Sequence, residues 1–302
     1  MNTDTSSQIG MPQDQLVVEI NAKLRDYVAQ RGLPRNLADA LLYSGLGPGK
    51  RVRPTLVVRS YEAVHGPLTD GPMPEALLAA AVGIEMVHAF SLVHDDLPAM
   101  DDDDLRRGRP TLHKHTNEAM AILAGDGLLA LSFELVTRNV NDPALGLALV
   151  GELATATNDM IAGQVYDTLP EDDGVEGIDR LIRIHRNKTG ALLRGSARMG
   201  GRCAGADASQ IEALTRYADT VGLMFQVVDD LLDITSDAAS MGKATQKDAE
   251  AGKLTYPGLM GVEGAQAEVQ RLQAEAHEAL EPLGAAAEPL RRLADDLAVR
   301  RK

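Results

Sequence analysis

The stretch Ala76-Leu-Leu-Ala-Ala-Ala-Val-Gly-Ile-Glu85-Met-Val-His88-Ala-Phe90-Ser91-Leu-Val-His-Asp95-Asp96-Leu-Pro98 decides the fold. Apolar residues lie almost all round a helix of this composition, so the helix has to be covered on every side. Glu85 and His88 interrupt the run, which is too short and too mixed for a membrane span and reads as a buried helix. A residue before proline is pushed out of the α region, so Leu97 should end the helix near Asp96. Carboxylates there meet the negative end of the helix dipole, at a cost of a few tenths to about 1 kcal/mol. A cation offsets that cost. The interval Leu-Pro-Ala-Met lets the chain turn and bring Asp101, the first of Asp101-Asp102-Asp103-Asp104, back toward Asp95. Magnesium suits such a place, because it keeps several waters and bridges one or two carboxylates to phosphates. A calcium loop counted from Asp101 would need glycine where Arg106 stands, so that reading fails. Arg106-Arg107-Gly108-Arg109 follows at once and suits bidentate contact with phosphate oxygens.

A second aspartate cluster, Asp229-Asp230-Leu-Leu-Asp233, lies far along the chain. Asp229 and Asp233 are four residues apart and share a helix face, with Asp230 about 100° around it. Phe225, Val227, Val228, Leu231 and Leu232 make the surrounding helix apolar, so the aspartates are expected to line an internal cavity rather than an acidic surface. Lys243, Lys247 and Lys253 follow on a glycine-containing segment.

The rest of the chain fits one all-α domain of residues 15–302 behind a disordered polar leader of residues 1–14. Hydrophobic residues are 44% of 302, enough for a large core, but aromatics are 3% and Trp is absent. The core is therefore built from Leu, Ala, Val, Ile and Met, which are mostly good helix formers. Helical patterning is expected over residues 14–30, 118–138, 146–166, 177–199, 208–235 and 265–281, with a last helix ending at Lys302. No run alternates like a strand. A net charge of −14 argues against nucleic acid as a partner. The single cysteine, Cys203, excludes an internal disulfide and suits a reducing cytoplasm. The leader has neither the apolar run of a signal peptide nor the Arg-rich pattern of a transit peptide.

Gly45-Leu-Gly-Pro-Gly49-Lys50-Arg-Val-Arg53-Pro has the makings of a phosphate loop, with glycines, Lys50 and Arg53 to cradle a diphosphate. It is not a Walker loop: Ser44 stands where that motif needs glycine, and Arg51 where it needs Ser or Thr. His88 lies two turns before Asp95 on the same helix face, roughly 10 Å away. Lys188-Thr189 forms a basic stop within a helical run, and Gln164 and Gln226 need partners if buried.

Together these residues resemble the trans-prenyl diphosphate synthase (polyprenyl synthase) family, and within it the bacterial farnesyl diphosphate synthases. The run from Asp95 to Thr111 is similar to the family's first aspartate-rich motif, and Phe225 to Asp233 to its second. Gly49-Lys50, Arg53, His88, Lys188-Thr189 and Gly242-Lys243 through Gly252-Lys253-Leu-Thr-Tyr-Pro257 fall in the family's order. The resemblance implies an isoprenoid-synthase helical bundle around a central cavity, a homodimer and three magnesium ions per active site. It implies that Asp95, Asp96 and Asp101 hold two of the ions, and Asp229 with Asp233 the third. Arg106, Lys188, Lys243 and Lys253 would grip the allylic diphosphate. Gly49, Lys50, Arg53, His88 and Arg107 would bind isopentenyl diphosphate, and Thr189 and Gln226 would sit near the developing cation. The implied activity joins isopentenyl diphosphate to dimethylallyl and geranyl diphosphate, giving farnesyl diphosphate by ionisation, condensation and elimination.

Phe90 and Ser91, five and four residues before Asp95, are the expected chain-length residues, with Phe90 as a floor near fifteen carbons. A geranylgeranyl product is the alternative. A terpene cyclase has no need of Lys50, Arg53 and His88, and a non-catalytic partner subunit would usually lack one aspartate cluster.

Overall fold

The computed structural model describes residues 10–69, 71–169, 171–239 and 254–300. The described residues form twelve α-helices and one short β-hairpin. They divide into two compact units. The first holds residues 1–155 and 195–206, the second residues 156–194 and 207–302.

The first unit is organised by α4 (Glu75–Asp95), thirteen of whose residues are buried. It packs chiefly on α6 (Glu118–Asn139) and α3 (Val52–His65), with α1 (Gln13–Gln30) and α2 (Arg35–Gly45) completing its cover. Both α4 and α6 are long and apolar enough to cross a membrane by length and composition. In α4, 72% of that apolar window is buried inside the protein, the mark of a core helix. Between them come the hairpin, β1 (Leu105–Arg106) and β2 (Arg109–Pro110), and the short α5 (Leu112–His115). Each strand has two residues, too few to show as alternation in the sequence. What closes the hairpin is Arg107-Gly108, both at positive φ, as a two-residue turn between antiparallel strands requires.

Residues 10–12 are not leader. The Met11 amide donates to Glu62 Oε1 at 2.8 Å, Arg59 donates to the Met11 carbonyl at 2.7 Å, and Met11 is 2% exposed. Glu62 also pairs with Arg59 at 2.6 Å, so a buried ion pair fixes the start of the chain. Residues 1–9 lie outside the described residues.

α7 (Pro143–Thr168) is a single helix, begun by Asp142 Oδ1, which accepts the Ala144 amide at 2.9 Å. The expected single helix over 177–199 is two, α8 (Gly177–Lys188) and α9 (Gly190–Cys203), parted at Thr189. α10 (Ala208–Ala239) carries the second aspartate cluster. α11 (Tyr256–Ala279) starts nine residues earlier than its apolar period suggested. Thr255 caps it, and Gly261 at φ 75° kinks it. After a 3-10 turn, α12 (Glu288–Ala298) packs on α10 and α11.

Two features of the second unit set its stability. Gly163 of α7 lies against backbone: a Cβ there would stand 2.1 Å from the Lys188 amide nitrogen and 2.5 Å from the Asn187 carbonyl carbon. His185 of α8 is 8% exposed and stacks on Tyr256 at 5.9 Å. Burial pushes its pKa down to about 4. Gly163→Ala should cost about 1–3 kcal/mol, read as a lower urea midpoint, because neither backbone can yield. His185 has a depressed folded pKa, so its contribution is complete above the unfolded value of about 6.5 and is lost as pH falls toward 4. At most about 3 kcal/mol is at stake. In thermal melts between pH 7.5 and 4.5, His185→Phe should show a shallower acid loss than the parent chain.

Candidate active site

The first aspartate cluster is built by the end of α4. The Asp96 amide still bonds Leu92 and the Leu97 amide bonds His94, and Pro98 then stops the helix. The chain turns back, and the Asp101 amide donates to the Asp95 carbonyl at 2.8 Å. The return of Asp101 to Asp95 is therefore a hydrogen-bonded turn. Asp95 is half-buried and Asp101 exposed.

Asp96 has a task beyond the one its motif implied. It is 4% exposed, and Arg106 Nε donates to its Oδ1 at 2.6 Å, with a second contact through Nη2. Burial raises its carboxyl pKa against the pull of Arg106. A carboxylate so enclosed, with a guanidinium across it, orients Arg106. Among the described residues no three His, Cys, Asp or Glu side chains converge into a metal cage. Asp95 and Asp101 still fit magnesium, because the shared turn offers two carboxylates and magnesium takes its remaining ligands from water and phosphate.

Beside this turn lies a cleft lined by the Gly45–Pro48 loop, His88, Leu92 and the hairpin arginines. Its charge is unbalanced. His88 is held well below the usual histidine range, first by burial and then by Arg53, Arg107, Arg106 and Arg51. Arg53 is pushed down to about 10, again by burial first, with Arg107 adding to it. Its buried Nε has no hydrogen-bond partner. Arg107 tucks under the loop and donates to the Pro48 carbonyl. Glycine at 49 leaves room for Arg107 as it lies: a Cβ there would stand 2.2 Å from Arg107 Nη1 and displace that side chain. Lys50 is exposed at the tip. α3 begins directly after Arg51 with no side-chain cap, so its N-terminal amides add positive potential. Gly49, Lys50, Arg53, His88 and Arg107, grouped by motif alone, thus do gather in the first unit. The arrangement calls for an anion with several oxygens.

Arg51 escaped the sequence reading, which placed only Lys50 and Arg53 in the loop's chemistry. It is 6% exposed and makes more polar contacts than either neighbour. Its left-handed φ of 51° left no trace in composition. Phe90 is also buried, its ring edge-on to His94 at 5.1 Å; Ser91 donates to the His88 carbonyl at 3.0 Å. His94 in turn fits against α6 only because residue 125 is glycine.

In the second unit, the three aspartates of α10 separate by function. Asp230 accepts the Tyr256 amide at 2.9 Å and so holds the start of α11. Asp229 accepts Gln226 Nε2 at 3.4 Å and forms an ion pair with Arg300, whose guanidinium also covers the Phe225 ring at 4.5 Å. Arg300 thus reaches this cluster and supplies a cation to it. Asp233 is exposed, one turn further on. Thr189 ends α8, and Lys188 beside it donates to Asp167 at 2.6 Å. Asp167 is another residue the sequence reading passed over; its signal was a carboxylate three residues after Gln164 on an apolar helix. Lys243 and Lys253 lie outside the described residues.

Comparison with known proteins sets this geometry in a family. A family model described as polyprenyl synthetase matches residues 34–286. The chain is 45% identical over 257 residues to geranylgeranyl pyrophosphate synthase 11, chloroplastic, of Arabidopsis thaliana, covering 82% of this chain and 70% of that one. It is 41% identical to the chloroplastic geranylgeranyl pyrophosphate synthase of Catharanthus roseus, covering 86% and 72%. Among solved structures, an FPP/GFPP synthase from Zymomonas mobilis aligns with a TM-score of 0.81 at 33% identity, covering 95% of this chain and 97% of that one. A geranylgeranyl pyrophosphate synthetase from Pyrococcus horikoshii aligns with the same score at 30% identity, covering 95% and 99%. The all-α fold, the paired aspartate motifs and the matched span agree, and the chain belongs to the polyprenyl synthetase family.

Proposed function

We propose that this prenyl diphosphate synthase binds isopentenyl diphosphate in the cationic cleft of the first unit and extends an allylic diphosphate with it. The observation that carries this reading is the excess of guanidinium around a neutral His88. Gly49, Lys50, Arg53, His88 and Arg107 are assigned to isopentenyl diphosphate. Arg106, fixed by Asp96, is assigned to the allylic diphosphate with Lys188, Lys243 and Lys253. Asp95 and Asp101 are the magnesium ligands of the first cluster, Asp229 and Asp233 those of the second, for three ions in all. Asp96 stands beside Asp95 and Asp101 as a third candidate ligand of the first cluster, and its Oδ1 also holds Arg106, as Asp229 holds Arg300.

The chemistry needs few proton carriers. The allylic carbon–oxygen bond breaks and diphosphate leaves. The isopentenyl double bond attacks the allylic cation, and a proton is then lost to the released diphosphate. Magnesium, when bound, supplies charge that stabilises the departing diphosphate. Arg106 and Lys188 act on the same charge. Gln226 and Thr189 are assigned beside the cation, and apolar surroundings keep water from it. His88, kept neutral, is a hydrogen-bond donor to isopentenyl diphosphate.

The names of the curated relatives support a geranylgeranyl product. A farnesyl product is the second reading, and Phe90 is the observation that favours it. The ring is buried on the α6 side of α4, where His94 restricts its rotation. A homodimer and a cytoplasmic setting complete the reading. For the dimer, α6 exposes Ile122 and Leu123, at 45% and 58%. For the setting, the single cysteine, Cys203, allows no internal disulfide.

Incubation with magnesium, isopentenyl diphosphate and dimethylallyl diphosphate should yield a prenyl diphosphate, whose length chromatography reports. No product from dimethylallyl or geranyl primer would end the enzyme reading. Phe90→Ala should move the distribution by at least one five-carbon unit; unchanged length would remove Phe90 as the floor.

A further inference from the structure

Arg51 lies within the phosphate loop and lines the cleft together with Glu85. Its backbone is left-handed, at φ 51° and ψ 42°, a conformation that residues other than glycine rarely adopt. Its guanidinium is one of the most enclosed cations in the first unit. Nη2 donates to the carbonyls of Gly45 at 3.1 Å and Gly47 at 3.0 Å, and to Asn21 Oδ1 at 3.3 Å. Nη1 donates to Glu85 Oε1 at 3.1 Å, with both side chains below a tenth exposed. One planar group therefore ties together the end of α2, the loop, α1 and α4.

The position of that tie matters. Glu85 stands one turn before His88 on α4, while Lys50 and Arg53 flank Arg51 in the chain. The loop is held from a second side as well: Gln13 donates to the Lys50 carbonyl at 3.4 Å and to Thr55 at 2.9 Å, and Thr55 donates to the Arg51 carbonyl at 2.7 Å. We propose that Arg51 is a positioning residue for the diphosphate of isopentenyl diphosphate: its guanidinium clamps the Gly45–Arg53 turn to α4 and so sets Lys50 and Arg53 against His88. This rests on the reading of the cleft as the isopentenyl diphosphate site. The four hydrogen bonds that the two Nη atoms of Arg51 make all go to the fold, which sets its role as positioning.

A purely electrostatic role makes opposite predictions. Lysine keeps the charge but is a point donor without the fork. If Arg51 only adds positive potential, Arg51→Lys retains affinity and Glu85→Gln, which removes a nearby negative charge, tightens binding. If Arg51 positions the loop, both substitutions weaken it. The experiment measures the Kd of isopentenyl diphosphate by calorimetry and the KM of both substrates, for the parent chain, Arg51→Lys and Glu85→Gln. The expected result is a rise of about tenfold in Kd and KM for isopentenyl diphosphate with Arg51→Lys. Glu85→Gln should give a rise of several-fold, and the KM for the allylic substrate should stay within twofold in both. Full affinity in Arg51→Lys, tighter binding in Glu85→Gln, or an equal rise in both KM values would overturn the proposal. Should Arg51→Lys fail to fold, Glu85→Gln alone decides by the sign of its change. A parent chain that binds no isopentenyl diphosphate refutes the reading of the cleft instead, and is told apart by that first titration.

Discussion

Buried positive charge has to be met by an opposite charge, and the surroundings of His88 hold more of it than the chain neutralises. Glu85 answers Arg51, and Asp96 answers Arg106. Arg53 and Arg107 have no such carboxylate at salt-bridge distance among the described residues; burial lowers both, Glu85 offsets this in part from further off, and neighbouring guanidiniums lower them further. Such a cluster is stable only because solvent, or an anion of matching shape, enters the cleft. The local structure serves that condition. α4 is buried along most of its length and so holds His88 rigidly, the hairpin turn projects Arg107 under the loop, and the absent side chain at Gly49 makes room for it.

The carboxylates pose the converse problem, and the chain solves it differently in each unit. At the end of α4, one carboxylate pairs with Arg106, and Asp95 and Asp101 are joined by a backbone turn. On α10, Asp230 is used to cap α11, and Asp229 meets Arg300. Aspartates that look equivalent in the sequence thus differ in the partners the chain gives them. The difference follows burial: an enclosed carboxylate takes a partner from the chain.

Much of this was legible beforehand. The apolar stretch before Asp95, the proline after Leu97 and the spacing to Asp101 led directly to α4 and its turn, because those constraints are local. The grouping of Gly49, Lys50, Arg53, His88 and Arg107 came from motif order, and the structure brings these residues together in the first unit. Arg51 and the Asp96–Arg106 pair were not legible. Each depends on a residue distant in sequence, Glu85 for the first, or on a backbone angle without a compositional sign. The break at Thr189 was visible only as a basic stop, and the close approach of Lys188 to Gly163 beside it is a tertiary contact. Product length lies at the same limit. Phe90 is readable, but its orientation depends on His94 and on the space left by Gly125.

The central claim is that isopentenyl diphosphate is held by the chain's own cations rather than by metal. Titration of isopentenyl diphosphate into the protein with excess chelator, at several salt concentrations, tests it most directly. The account predicts saturable one-site binding without magnesium that weakens steadily as salt rises. Binding that appears only when magnesium is restored would contradict it.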